Sequence, residues 1–188
     1  LVGITTLALW GLMRHLCERR NLPALWLAGF AAGLGTVTKG VGFLPLLMVL
    51  PWFGWWLYQR RRGRSVDGPH PATLLWLIPA FLLGVAVWLA PLGWALLHEP
   101  SASLQSYAHE LLFKQTGTRY ANAWHHRQPV WYYLQVILTL WLPGSLLLPM
   151  LFKPWWRRIR RGDCRQWLLL GWALLVLVFF SASPGKRE

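Results

Sequence analysis

Acidic residues are nearly missing from this chain: six Asp and Glu stand against 19 Lys and Arg in 188 residues. So few carboxylates leave little choice of general base for an enzyme built from this segment alone. Cysteine is equally scarce. Cys17 and Cys164 stand alone, without the spacing of a zinc site, and both fall in basic connections. Those connections are expected on the reducing side of a membrane, so the expectation is two free thiols and no disulfide. A Gly-rich phosphate loop and a nucleophile elbow are also missing, which sets aside nucleotide-loop and hydrolase chemistry. With 13% of residues charged and 15 tryptophans, the composition excludes an ordinary soluble domain.

What the chain does have is long apolar runs. Leu74–Leu97 and Val130–Phe152 carry no charge, and each is long enough as a helix to cross a hydrocarbon core of roughly 30 Å. Leu22–Thr38, Val41–Tyr58 and Trp167–Ser183 lie near the lower limit for a span, and Leu1–Met13 reads as the tail of another. The expected fold is an all-α, polytopic integral membrane bundle of five full spans and one partial span. Residues 1–188 are expected to form an internal fragment of one transmembrane domain, since the chain has neither an initiator Met nor a cleavable signal. Gly29, Gly33 and Gly35 permit close helix contact without specifying a partner.

The cations are not spread evenly. Arg14, Arg19 and Arg20 follow the first run, Arg60, Arg61, Arg62 and Arg64 the third, and Lys153, Arg157, Arg158, Arg160, Arg161 and Arg165 the fifth. These alternate connections hold 13 of the 19 Lys and Arg, which assigns them to the cytoplasm by the positive-inside rule. The basic runs are topology signals first, and nucleic-acid binding is not expected. The protein is placed in the plasma (inner) membrane, with membrane lipids as partners. Thr38–Gly40, residues 98–129 and Ser183–Glu188 then face the periplasm or cell exterior. They carry the remaining six cations, Lys39, Lys114, Arg119, Arg127, Lys186 and Arg187. An anionic ligand shared by the three connections would explain cations on that side.

The loop over 98–129 holds four of the six histidines, His98, His109, His125 and His126. Leu104, Tyr107, Ala108, Leu111 and Leu112 repeat at helical spacing, so an amphipathic helix over about Ser103–Gln115 is expected along the membrane surface, stopped at Gly117. Glu110 and Lys114 make an i, i+4 surface pair or belong to a site. His125-His126-Arg127 admits three readings: phosphate contact, metal binding with His109 or Glu110, or an interfacial structural role. A divalent metal is thus the candidate cofactor. Lys39 reads either as a snorkelling lysine or as a cation placed where a lipid phosphate would lie.

Three segments carry a resemblance: Thr38-Lys39-Gly40 after a Gly-rich span, His125-His126-Arg127-Gln128-Pro129-Val130-Trp131-Tyr132-Tyr133, and Ser181-Ala182-Ser183-Pro184-Gly185-Lys186-Arg187-Glu188. In order and spacing the chain resembles the polyprenyl-phosphate-sugar transferases of the protein mannosyltransferase and aminoarabinose transferase type. The resemblance implies a GT-C membrane glycosyltransferase, family 39-like, that moves a sugar from a polyprenyl-phosphate donor to a lipid or protein acceptor on the extracytoplasmic face. It implies donor-phosphate contacts at Lys39, Arg127, Lys186 and Arg187. Lys114, Arg119, His125, His126 and Tyr132 become candidate substrate contacts. The catalytic aspartate of such enzymes lies upstream, so no residue here takes that role and the segment alone is expected to be inactive. Two other readings start from the same residues: a transporter or flippase of an anionic lipid-linked substrate, and a non-catalytic membrane scaffold. A transporter would place charges inside the spans near the bilayer midplane, whereas here they sit at the ends.

Overall fold

The computed structural model describes residues 1–18, 20–64, 68–98, 101–109, 129 and 131–182. The described residues are helical throughout, without strands. Helix α1 (Val2–Cys17) is followed by α2 (Leu22–Lys39), which Asn21 caps by accepting the Ala24 N–H at 3.0 Å, with Pro23 in the first turn. A 3-10 helix (Leu44–Met48) leads into α3 (Val49–Arg61), and a second (Pro71–Trp76) leads into α4 (Leu77–His98). After α5 (Ala102–His109) come α6 (Tyr132–Leu140), α7 (Gly144–Arg161) and α8 (Cys164–Ala182).

Small residues put α2 at the centre. A Cβ on Gly11 of α1 would press on the Ala24 carbonyl and Ala28, and one on Gly33 would overlap the Phe81 carbonyl of α4. Gly84 of α4 lies equally close to the Phe30 carbonyl. Gly29 and Gly33, one turn apart on α2, both face α4, so the glycines seen in the sequence do select a partner helix, and it lies within the chain. Residues 29 to 34 of α2 meet residues 77 to 85 of α4 in rising order, so the two helices run parallel. Beside them Trp52, fully buried, donates its indole N–H to the Leu16 carbonyl at 3.3 Å, within a core of Leu12, Leu25, Met48, Leu77 and Leu168.

His15 is buried at the end of α1. Its Nε2 is hydrogen-bonded to the Thr73 hydroxyl at 3.1 Å, and Thr73 Oγ1 also lies 2.8 Å from the His70 carbonyl. Nδ1 lies 2.9 Å from the Asn21 carbonyl oxygen and 3.2 Å from the Asn21 nitrogen, so one imidazole ties α1 to the connections that precede α2 and α4. The outer face of α4, by contrast, is apolar and exposed at Ile78, Leu82, Val87 and Trp94, as a helix solvated by hydrocarbon requires.

Several expectations change. By length and composition, two described helices can cross a membrane, Pro71–His98 and Cys164–Ala182, and a third crossing is added if α6 and α7 count as one. The Val130–Phe152 run is not one straight span: it breaks between Leu140 and Gly144 and α7 turns 107° from α6. Pro143 lacks the N–H and Gly144 the side chain that would carry the helix on. Val41–Tyr58 likewise divides into a turn, the Leu44–Met48 3-10 helix and α3, with Pro45 at the first break. Of the helix expected over about Ser103–Gln115, the part to His109 is helical as α5, with Ser101 Oγ accepting the Leu104 N–H at 3.2 Å; residues 110–115 and Gly117 lie outside the described residues.

The expectation of two free thiols is overturned. Cys17 and Cys164 are joined as a disulfide, with Cα atoms 5.7 Å apart and 147 residues between them in sequence. Compartment and spacing in the sequence could not show that α1 ends where α8 begins. Bonds at the same end make the meeting: Arg165 Nη2 reaches Glu18 Oε1 at 3.0 Å, and Trp55 Nε1 donates to the Gly162 carbonyl at 2.7 Å.

Two measurements follow. Gly33→Ala and Gly84→Ala should each cost about 1–3 kcal/mol, as overpacking against backbone does, read as a lower melting temperature in detergent, while Gly54→Ala, which meets nothing within 4 Å, should leave it unchanged. The denatured but unreduced protein should resist maleimide-polyethylene glycol, and two adducts should form after reductant; two adducts without reductant would reject the bridge.

Candidate functional site

The end of α2 is shaped by its own hydroxyls. Thr36 Oγ1 donates to the Ala32 carbonyl and Thr38 Oγ1 to the Gly35 carbonyl, each at 2.8 Å. Gly40, at φ 68°, then closes the helix by donating its N–H to the Thr36 carbonyl at 2.7 Å. That left-handed turn favours glycine strongly. Gly42 folds back so closely on Gly35 that a Cβ there would overlap the helix backbone. The consequence is that Lys39 stands exposed on the last turn of α2, where the negative end of the helix dipole favours a cation.

A chain of aromatic rings connects this turn to two other elements. Phe43 meets Phe179 edge-on, with centroids 6.0 Å apart, and Phe179 meets Phe180 at 5.4 Å. Phe180 lies 6.2 Å from Tyr133, which packs against Tyr132 at 5.3 Å. Trp172 fixes the same neighbours by donating its indole N–H to the Leu44 carbonyl at 2.9 Å. The turn after α2, the end of α8 and the start of α6 therefore meet at one end of the bundle. These are the elements bordering the three connections expected to share a ligand. Because α4 runs parallel to α2, its last turn projects from this end too, with His98 stacked on Trp94 at 4.0 Å.

Of the candidate residues, Lys39 is exposed at the end of α2 and Tyr132 is half-buried at the start of α6. His109 closes α5, and its side chain lies outside the described residues. Glu110, Lys114, Arg119, His125, His126, Arg127, Lys186 and Arg187 also lie outside them, and with them the candidate metal set of His109, Glu110, His125 and His126. Among the described residues no three His, Cys, Asp or Glu side chains gather as a metal site. Phe43, Phe179 and Phe180 carry no motif that marks them in the sequence. The signal for them was their place at the ends of apolar runs that also bear the resembling motifs.

The opposite end holds the basic runs. There a shallow cleft of about 220 Å³, lined by Trp10, Arg14, Asn21, Pro23, Ala24 and Leu27, lies at the far end of α2 from Lys39. The two ends of the bundle thus divide the cations as the sequence does, with Lys39 alone among described cations at the aromatic end.

No family model matches the chain, and no solved structure matches it. Curated relatives match it over 98% of its length. One is an undecaprenyl phosphate-alpha-4-amino-4-deoxy-L-arabinose arabinosyl transferase of Pseudomonas savastanoi pv. phaseolicola, 35% identical, of which the chain covers 32%. Proteins of the same name in Pseudomonas fluorescens and Pseudomonas aeruginosa are 34% and 33% identical, with 29% and 31% of their lengths covered. The chain thus spans about a third of the length of these relatives. With matched residues running from end to end of its helices, the chain is similar over nearly its whole length to one part of these transferases.

Proposed function

We propose that the protein to which this chain belongs is an integral membrane glycosyltransferase of GT-C type that takes a sugar from an undecaprenyl phosphate donor. A 4-amino-4-deoxypentose is the sugar that the relatives' names suggest. The observation that carries the reading is similarity over 98% of the chain to transferases of that donor. The meeting of the α2 turn, the α8 end and the α6 start at one aromatic end supports it. The acceptor is a lipid or protein reached from the same face.

The chemistry suits this end. A polyprenyl-phosphate sugar keeps its tail in the bilayer and its head group at the surface. Transfer breaks the bond between the anomeric carbon and the phosphate oxygen, forms a bond from that carbon to the acceptor oxygen, and leaves negative charge on the phosphate. Cations aimed at that phosphate stabilise the transition state more than the ground state. Lys39 is one such cation, with Arg127, Lys186 and Arg187 as the others. Arg127 can hold two phosphate oxygens through parallel N–H bonds. Lys114, Arg119, His125 and His126 are proposed further along the donor or acceptor, and Tyr132 against the isoprenoid or sugar ring. A transporter is less well supported, because α4 carries no Lys, Arg, Asp or Glu along its length.

The proposed topology places the Lys39 end extracytoplasmic and the basic end cytoplasmic. With Cys17 and Cys164 replaced by serine in the full-length protein, Ser103→Cys should react with a membrane-impermeant maleimide on intact cells and Arg61→Cys should not. The reverse pattern would invert the map.

Transfer from a radiolabelled undecaprenyl-phosphate aminosugar in proteoliposomes of the full-length protein tests the activity. Lys39→Ala and Arg127→Ala should each lose about 2–4 kcal/mol of transition-state stabilisation. Arg127→Lys should also be impaired, because lysine cannot reproduce the guanidinium fork. Normal turnover in alanine variants of Lys39, Arg127, Lys186 and Arg187 would reject this site, and no turnover with any such donor would reject the activity.

A further inference from the structure

The end of the bundle away from Lys39 carries a second arrangement that donor chemistry does not use. Two arginine runs separated by about a hundred residues are brought side by side there. Trp55 Nε1 and Gln59 Nε2 of α3 both donate to the Gly162 carbonyl at the end of α7, at 2.7 and 3.3 Å. Arg64 Nη1 reaches the Arg161 carbonyl at 3.4 Å. These bonds bring the end of α3, which carries Arg60, Arg62 and Arg64, to the end of α7, which carries Arg157, Arg160 and Arg161, and all six are exposed.

These guanidinium groups are positioned but not neutralised. Arg60 lies over the Trp56 ring at 5.1 Å, Arg62 over Tyr58 at 4.5 Å and Arg160 over Trp156 at 5.3 Å. Each ring holds its guanidinium group in place and leaves outward N–H groups free for phosphate oxygens. The nearby carboxylates are engaged elsewhere: Glu18 pairs with Arg165 and Arg14, and Asp163 Oδ1 accepts the N–H groups of Arg165 and Gln166. Among the described residues none of the six arginines has a carboxylate partner.

The surface beside them is apolar. Phe53 and Leu57 on α3 and Phe152 on α7 are exposed, the last at 65%. Along α7, Leu148, Leu151, Phe152, Trp155 and Ile159 recur at helical spacing, opposite Lys153, Arg157, Arg160 and Arg161. A helix of this composition, turned 107° from α6, has the pattern of one lying in a membrane interface. The occupant must therefore meet cations and hydrocarbon at once. A soluble anion meets only the first.

We propose that the paired arginine runs of α3 and α7 form a head-group site for anionic phospholipid, phosphatidylglycerol or a related phosphodiester lipid, at this end of the bundle. Phosphodiester oxygens accept from the stacked guanidinium edges while the acyl chains lie against Phe53, Leu57 and Phe152. The site is independent of the donor and of which leaflet this end occupies.

The test uses the full-length protein in a non-ionic detergent. Bound lipid is counted by native mass spectrometry, and melting is followed during titration with phosphatidylglycerol, phosphatidylcholine or inorganic phosphate. Phosphatidylglycerol should bind and raise the melting temperature, an effect that weakens with salt, and the other two should not. Loss of one cation at such a surface should weaken binding about fivefold, so Arg60→Gln with Arg62→Gln, and Arg157→Gln with Arg160→Gln, should each weaken it about twenty-five-fold. The corresponding lysine pairs, which keep the charge but not the stacked guanidinium edge, should lose less binding than the glutamine pairs, which separates loss of charge from loss of fold. Equal binding of phosphatidylcholine, unchanged affinity in both glutamine pairs, or an equal response to inorganic phosphate would overturn the proposal.

Discussion

The close approach of α2 to its neighbours is the constraint on which the rest depends. In hydrocarbon there is no water to drive helices together, so association relies on dispersion and on how near two backbones can come. Alanine and glycine occupy the contact positions of α2, and bulk is placed outside them: Gly11 against Ala24 and Ala28, Gly33 against Phe81, Gly84 against Phe30. That packing fixes the height of the Gly40 turn relative to α1 and α4. The level at which Lys39 stands follows from it.

The two ends of the molecule use cations in different ways. At one end a single described lysine sits on a helix terminus beside a chain of aromatic rings, and the arginine expected to join it belongs to the loop that precedes α6. At the other end Arg14, Arg60, Arg62 and Arg160 lie over tryptophan or tyrosine rings. The first arrangement suits a charge that develops during a reaction, where few donors must be well aimed. The second suits attachment, where many modest contacts add.

Much of this was legible in the sequence. Apolar runs mark the helices, and the uneven cations mark two different ends. The convergence of the Thr38-Lys39-Gly40 turn with the starts and ends of later runs was expected from alternation alone, and the Phe43, Phe179, Phe180 and Tyr133 contacts show the elements meeting. What was not legible depends on contact over long sequence distances or on local breaks. Cys17 and Cys164 looked isolated because no pattern in the sequence brings the end of α1 to the start of α8. The Val130–Phe152 run looked continuous because hydropathy is blind to the turn that Pro143 and Gly144 impose. Gly29 and Gly33 carried the partner choice of α2, but only the structure shows that α4 is the partner.

The clasp of α3 on the Gly162 turn has a consequence for the order of assembly. Helices α1, α2 and α4 find one another among residues made close together in time, whereas the acceptor for Trp55 lies 107 residues further on. At synthesis rates of about 5–20 residues per second that interval is roughly 5–20 s. During it the donors of Trp55 and Gln59 have no Gly162 carbonyl to meet, and α3 waits beside a finished three-helix unit. Trp52 already holds α3 to the Leu16 carbonyl of α1, so what waits is the far end of α3, which is fixed only when the Gly162 turn and α8 emerge.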